Sequence, residues 1–484
     1  MEWGRGPTRV VNGRRMAATV VQLNVILEEK TVRRCVGGLA LAATMAVGGL
    51  AVPMTAAAQD ELPGVELGLV YANSYRPALA VQPFTGSFGG EAVAAQVEAI
   101  VGRDLRYSDR FEVLDSLPAG LVGSEVDYSL WDRLGAVWLV TGEVEGTGDG
   151  FVLVLELHDV VYGEVRERAR FRLPNAMDSD FRMAVHRTSD EVVTWATGDP
   201  GMAASRIVFT MSNSQGGKEV YVIDSDGENL RQVTNYGDLV ESPTWSPDAQ
   251  RIAFTSWKTG VARIYETDLY GGNERMLPDV RGDGDYVTPY YHPDGNVVAF
   301  SVLGSNAQSG IFTYDWERDC CLSYLSGGPW YDLSPTYSPD GRWIAFNTLR
   351  FGTSVPQVMF MPSEGGSAET LSPYEYGSGG FYSEPDWSPF GDLVAFTGRI
   401  DRRGRYHILV ANLEDGGRVL RQLTSEGNNE APSWAPDGRH LVFVGERRWG
   451  HGLMVVDVAT GNVRALLAGQ RVGLPDWSPP LPPT

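Results

Sequence analysis

Cysteine is nearly absent: the 484 residues hold three, Cys35, Cys320 and Cys321. So few exclude a disulfide framework and a multi-cysteine metal site. Histidine is scarce as well, with six at positions 158, 186, 292, 407, 440 and 451, and none of them pair at metal-ligand spacing. Neither HExxH nor GxSxG occurs, so the usual zinc-hydrolase and nucleophile-elbow signatures are missing. Positive charge is in deficit, 40 Lys plus Arg against 61 Asp plus Glu, a formal net charge of −21. What is plentiful is glycine (57) and aromatic residues (10%), a balance that leans toward turn-rich β structure.

After Arg33-Arg34 comes "CVGGLALAATMAVGGLAVPM" and then "TAAAQD". A basic region, an apolar core and an Ala56-x-Ala58 site read as a secretory signal peptide over residues 1–58, cut before Gln59. The alternative is a retained anchor, since the run approaches bilayer-spanning length; Pro53 and the small residues that follow favour cleavage. The basic region is long, so both Met1 and Met16 stand as starts. Cleavage removes seven basic and three acidic residues and leaves 33 against 58, a charge of −25. Such a surface repels phosphate backbones and anionic lipid, so neither nucleic-acid binding nor direct membrane insertion is expected of the mature chain. It suits an exported protein with protein partners. Cys320 and Cys321 are adjacent, and either close a vicinal disulfide or stand as two thiols at a hairpin.

Internal repetition decides the fold. The lines "ESPTWSPDAQRIAFTS", "VTPYYHPDGNVVAFSV", "LSPTYSPDGRWIAFNT", "SEPDWSPFGDLVAFTG" and "EAPSWAPDGRHLVFVG" align on Pro243, Pro289, Pro335, Pro385 and Pro432, spaced 46, 46, 50 and 47. A sixth anchor, Pro475, follows 43 residues later in "LPDWSP", and there the chain ends. Each period predicts four short strands broken by an SPDG turn, the size of one propeller blade. The missing strands of the last repeat lie upstream, in "RIVFTMS" and "EVYVIDSDGENLRQVT". The expected architecture is therefore a six-bladed β-propeller over 205–479, closed by a split blade of one C-terminal and three N-terminal strands, with a tail at 480–484. Asp248, Asp294, Asp340 and Asp437 recur once per repeat and read as turn formers, not as a catalytic array. "DSDGEN" begins like a calcium loop but has Asn235 at the twelfth position, so it too reads as a turn.

Residues 78–200 lack the repeat and predict a small α/β domain. "ALAVQPF" reads as a strand. Val93, Val97, Ile100, Val101 and Leu105 share one helical face, and Phe181, Val185, Thr188, Val192 and Trp195 another, which Gly198 terminates. "AVWLVTGEVEG", "GFVLVLELHDV" and "VRERARFRLP" read as antiparallel strands. "TGSFGG" lacks a phosphate-loop pattern and reads as a flexible connection. His186 and Asp190 are placed to pair at i, i+4 on the second helix, without a nucleophile nearby. No enzyme, no cofactor and no metal are expected.

The repeats, the preceding α/β domain, the signal peptide, and the stretches "HRTSDEVVTWATG", "SRIVFTMS", "VQPF", "DLRYSDRFEVLD" and "LPDWSP" together resemble the TolB family of the periplasmic Tol–Pal system, over essentially the whole mature chain. The resemblance implies a non-enzymatic periplasmic adaptor, expected to be a monomer, that supports outer-membrane integrity and constriction at division. It implies binding of the lipoprotein Pal on the propeller face formed by loops entering the innermost strands. On the matching positions these are Asp285 and Thr288 before Pro289 and Leu333 before Pro335, and the neighbouring loops would add Glu241, Glu384 and Glu430. Trp330, Tyr331, Phe381 and Tyr382 lie in the neighbouring loops and either anchor the partner or cover the channel rim. The resemblance further implies that the segment 59–77 engages TolA, with Val65, Leu67, Leu69 and Tyr71 spaced as an added strand; here the segment is longer than the family's, and an ordinary edge strand of the α/β domain is the other reading. A propeller lyase or carbohydrate-binding propeller with a metal in the channel is the alternative function.

Overall fold

A computed structural model describes residues 67–68, 75–114, 125–213, 216–279, 284–304, 309–326, 328, 330–352, 355–373, 380–400, 403–413 and 420–482. The expected signal peptide, Val65, Leu69 and Tyr71 lie outside these residues, as do Gly327, Pro329 and Gly379 of the predicted rim loops.

The first domain is built on the strands β2 (Ala78–Val81), β3 (Thr85–Ser87), β4 (Glu112–Val113), β5 (Trp138–Thr147), β6 (Gly150–Asp159) and β7 (Glu164–Leu173), in the order β4-β2-β5-β6-β7, with β3 also on β5. Helices α1 (Glu91–Tyr107) and α3 (Phe181–Thr197) cover one face. Their buried stripes, Val93, Val97, Ile100, Val101 and Leu105 on α1 and Phe181, Val185 and Val192 on α3, meet Val140, Val144, Leu153 and Leu155. A short helix, α2 (Tyr128–Arg133), seals the other face with Trp131 against Ala80, Leu139 and Val160. Gly198 ends α3 in the left-handed region at φ 80°, where a glycine meets no Cβ penalty. "TGSFGG" is not a free connection: Thr85–Ser87 pairs in parallel with Glu143–Glu145. Gly90 after it is required, because a Cβ there would lie 1.9 Å from the Val144 carbonyl oxygen.

The second domain is a ring of six blades. Blade 1 pairs Val472–Trp477 with Arg206–Ser212, Lys218–Asp224 and Arg231–Gln232, so the C-terminus supplies its innermost strand. Blades 2 to 6 run over 240–276, 285–324, 332–370, 381–422 and 429–468. Each second strand carries a phenylalanine at the same place, Phe209, Phe254, Phe300, Phe346, Phe396 and Phe443, all fully buried. The repeated "IAF" therefore packs the layers between blades, where loss of one ring costs about 3–5 kcal/mol. The SPDG aspartates make turns: Asp248, Asp294, Asp340 and Asp437 each accept the amide two residues on, from Gln250, Asn296, Arg342 and Arg439. Closure of blade 1 is tied by Trp477 Nε1 donating to Ser205 Oγ (2.7 Å) and Arg206 N donating to Ser478 Oγ (2.9 Å).

β1 (Leu67–Gly68) is not an edge strand of the α/β domain. It pairs in parallel with Leu420–Arg421 and becomes a fifth strand on the outer edge of blade 5. Cys320 and Cys321 are joined as a vicinal disulfide on the outer strand of blade 3.

Candidate functional site: the tunnel mouth and the domain seam

Every innermost strand breaks its ladder at the anchor proline. Registers shift between Glu241 and Thr244, Val287 and Tyr290, Leu333 and Thr336, Ser383 and Asp386, Glu430 and Ser433, and Gly473 and Asp476. The residue before each proline has positive φ: Ser242 (49°), Thr288 (52°), Ser334 (55°), Glu384 (54°), Ala431 (53°) and Leu474 (47°). None is glycine, and such a conformation costs about 1–2 kcal/mol per residue. Proline lacks an amide proton and so cannot pair at that point of the strand. The bulge turns the preceding amide toward the previous blade. Thr288 N meets Thr255 Oγ1 (3.2 Å), Ser334 N meets Thr288 Oγ1 (3.3 Å), and Ala431 N meets Glu384 Oε2 (3.0 Å) and Thr397 Oγ1 (2.8 Å). The six bulges line the central tunnel.

One step past the prolines stand Thr244, Tyr290, Thr336, Asp386, Ser433 and Asp476. Asp386 accepts from Trp434 N (2.7 Å), Tyr290 Oη (3.3 Å) and Thr336 Oγ1 (3.4 Å). Asp476 accepts from Trp245 N (2.7 Å) and Ser433 Oγ (3.2 Å). Neither meets a cation among the described residues. Burial pushes the Asp386 carboxyl up to about 6. Burial, with Asp386 nearby, pushes Asp476 up to about 7.

The predicted partner residues divide by burial. Glu384 is raised by burial and by Glu241; Glu430 is raised too, by crowding from the protein and then by Glu384 and Glu446, although its side chain stays open to solvent. Glu241 is held by Lys218 Nζ at 2.6 Å, and Asp285 accepts the Ala262 amide at 3.0 Å across to the preceding blade. Leu333 is half-buried in its bulge. Trp330 and Tyr331 are open to solvent, 37% and 40% exposed. Phe381 and Tyr382 are not: they are 6% and 2% exposed, Phe381 edge-on to Tyr406 and Tyr382 edge-on to Phe396. These two rings are core, because the inner strand of blade 5 begins at Phe381, two residues before the aligned line "SEPDWSPFGDLVAFTG" starts. Trp449, 45% exposed in the hairpin of blade 6 on the same face, was missed. "RRWGHG" lies outside the repeated anchor line, which is where the sequence directed attention.

The opposite face, where the SPDG turns lie, carries the first domain. His186 does not pair with Asp190. Its Nδ1 lies 2.8 Å from Asp104 Oδ2 of α1, and its Nε2 lies 3.8 Å from Asp226 Oδ2 in the "DSDGEN" turn of blade 1. Asp190 instead accepts the Ala203 and Ala204 amides, both at 2.8 Å, in the chain between the domains. Asp226 is also held by Arg182 and by Arg103 (3.4 Å). Burial opposes charge on His186, but Asp104 and Asp226 outweigh it and raise its pKa. Burial likewise opposes charge on Asp226, yet His186 and Arg182 hold it below the carboxylate range. Asp104, His186 and Asp226 have the spacing of a metal site. With two guanidinium groups already on Asp226, the donor set fits a charge-balanced link better than a cation. A second link joins Asp109, just past α1, to blade 6: Arg439 Nη2 donates to its carbonyl (3.0 Å), Asn462 Nδ2 to its Oδ1 (2.9 Å), and His440 Nε2 lies 3.5 Å from Oδ2. His440 is raised to about 9, burial being outweighed by Asp437 and Asp109.

An α/β domain seated on one face of a six-bladed propeller, with nothing of that domain on the other face among the described residues, defines a two-domain propeller protein. The comparisons agree in detail. A model described as the TolB amino-terminal domain matches residues 67–165, and one described as the TolB beta propeller domain matches residues 194–481. The chain belongs to the TolB family. The Tol-Pal system protein TolB of Albidiferax ferrireducens is 31% identical over 238 residues, 49% of this chain and 53% of that protein. Its counterpart in Xanthomonas oryzae pv. oryzae is 31% identical over 244 residues, 48% of this chain and 54% of that protein. The chain spans about half the length of the curated relatives it matches. The crystal structure of TolB from Acinetobacter baumannii superposes with a TM-score of 0.72 at 25% identity, covering 86% of this chain and all of that one.

Proposed function

We propose that the protein is a monomeric, non-enzymatic periplasmic adaptor of the Tol–Pal system. It binds Pal at the tunnel mouth and TolA through the segment 59–77, and so supports outer-membrane integrity and constriction at division. The observation that carries this reading is the contrast of faces: among the described residues the mouth side is clear of the first domain and carries the exposed rings of Trp330 and Tyr331 as well as Glu384 and Glu430, carboxylates with no cationic partner there. Exposed aromatic rings are the residues that anchor interfaces, and an unpaired carboxylate gains most from a partner's cation. The TolA half draws support from Leu67–Gly68, which pairs its backbone with a sheet edge as strand-addition segments do. No described residue lies in a helix long and apolar enough to cross a membrane. The lyase reading gains nothing from the tunnel, whose lining holds no histidine among the described residues and whose aspartates accept tryptophan amides.

Calorimetric titration of the chain from Gln59 with Pal, and separately with TolA, tests the proposal. Saturable one-to-one binding of Pal is expected to survive deletion of residues 59–77, whereas TolA binding is lost. A chain that binds Pal at no saturable stoichiometry is not this adaptor.

A further inference from the structure

The SPDG face contains grooves between neighbouring blades, and the repeat allows them to be compared position by position. Between blades 6 and 1 the groove is filled by Tyr107, the last residue of α1. Its ring packs on the cluster around Trp477 and Leu466, and the Arg464 guanidinium stacks on it at 4.1 Å. Asp109 follows and takes the cationic and amide donors of blade 6. Between blades 2 and 3 a cavity of about 470 Å³ is bridged by ion pairs, Arg251 and Arg275 each reaching Glu317 at 3.0 and 2.9 Å.

Between blades 4 and 5 a cavity of about 470 Å³ has neither plug nor bridge among the described residues. Trp343, Phe360, Trp387 and Phe390 supply four aromatic side chains, two of them well exposed, Trp343 at 37% and Phe390 at 62%. The charged groups lining it are Asp340 and Glu369, and no Lys, Arg or His lines it. Register shows the inversion. Ala345, Phe360 and Glu369 lie side by side across blade 4 as Val442, Val455 and Arg464 do across blade 6. Glu369 therefore stands where Arg464 stacks on Tyr107, and Trp343 stands where His440 faces Asp109. Arg342 lies 3.7 Å from Asp340 but is 81% exposed at its side chain, and Glu369 has no ion-pair partner among the described residues.

We infer that the groove between blades 4 and 5 is a second protein-docking site, which takes a segment of a partner presenting an aromatic side chain beside a lysine or arginine. The closed groove shows which shape fills such a notch, and the exchanged charge fixes the sign of the flanking residue. The chain's own residues 59–66 are a poor occupant, since they carry Asp60, Glu61 and Glu66 and no base. The site lies on the face opposite the tunnel mouth and does not rest on the Pal reading.

The test uses the purified protein labelled at tryptophan, with the Trp343 indole resonance assigned by Trp343→Tyr. The probe peptide is acetyl-LRYSKR-amide, the end of α1 with Asp109→Lys, and the control is the acidic acetyl-LEYSDE-amide. The basic peptide is expected to shift the Trp343 indole saturably below about 10 mM, roughly the weak affinity of a short exposed contact. The acidic peptide should bind about fivefold more weakly, and Glu369→Lys should reverse that order. No saturation, equal response to both peptides, shifts confined to other indoles, or an order unmoved by Glu369→Lys would overturn the site. Binding seen only in a chain begun at Leu67 would also overturn it, because the groove would then belong to the chain's own leading segment.

Discussion

The carboxylates of the seam and those of the tunnel are both taken from water, yet they titrate in opposite directions. Asp226, Asp437 and Asp457 lie below the usual carboxylate range, because His186 with Arg182, His440, and Arg439 respectively outweigh burial. Glu384, Asp386 and Asp476 lie above it, because burial acts with no cation to offset it. The first set is satisfied within the chain and holds two domains together. The second is satisfied only by neutral donors and stands next to open surface. Burial alone does not separate a structural acid from one suited to a partner; the presence or absence of a cation does.

The comparison breaks most completely if the strand bearing Asp476 is removed. Truncation after Gln470 takes away the innermost strand of blade 1 and opens the ring, and cooperative unfolding of the propeller should vanish from calorimetric scans; a truncated chain of unchanged midpoint would contradict the closure. Next comes the seam. Asp226→Ala leaves His186 and Arg182 facing an empty position and should cost about 3–5 kcal/mol in urea unfolding, as breaking a buried ion pair does. A cost under about 1 kcal/mol would mean the link is ornamental.

The two sets also separate by pH. His440 is raised in the folded state to about 9, so its contribution is full below its unfolded pKa near 6.5 and is lost as pH rises through about 9. Asp476, raised to about 7, binds more protons folded than unfolded between about pH 4 and 7, so stability falls as pH rises through that window. Asp476→Asn should therefore flatten the pH 4–7 slope and stabilise the protein by about 1 kcal/mol at pH 8, an amide being cheaper to bury than an unpaired charge. His440→Gln should flatten only the slope above about pH 6.5. If both substitutions alter the same window, the two sets are one. The smallest effect belongs to the rim: Trp330→Ala and Tyr331→Ala should each change unfolding free energy by no more than about 0.5 kcal/mol, as exposed positions do.

The propeller was legible because its rules are local and repeated. The SPDG-like turn recurs five times and "IAF" or its equivalent states a buried strand after it, so the fragment "LPDWSP" had one place to go. The seam was not legible. Asp226 sits in a hairpin turn of a kind that recurs in the propeller, and its partners Arg182 and His186 are forty or more residues away. Local spacing offered His186 a neighbour in Asp190, and tertiary packing gave it Asp104 instead. At the mouth, Glu384 and Glu430 could be placed because they flank the anchor prolines. Phe381 and Tyr382 were misjudged for the same nearness, since a strand two residues longer turns a rim loop into core. The bulges themselves were written in the sequence as residue-plus-proline inside a strand, a signal of interrupted pairing.

The contrast of faces is tested most directly by reversing one charge on each. Pal is titrated calorimetrically into the wild-type protein, Glu430→Lys and Asp340→Lys, with folding checked by circular dichroism. Glu430→Lys is expected to weaken Pal binding by about tenfold or more, while Asp340→Lys changes it by no more than about twofold. Equal weakening by both, or weakening by Asp340→Lys alone, would contradict the placement of the partner at the tunnel mouth.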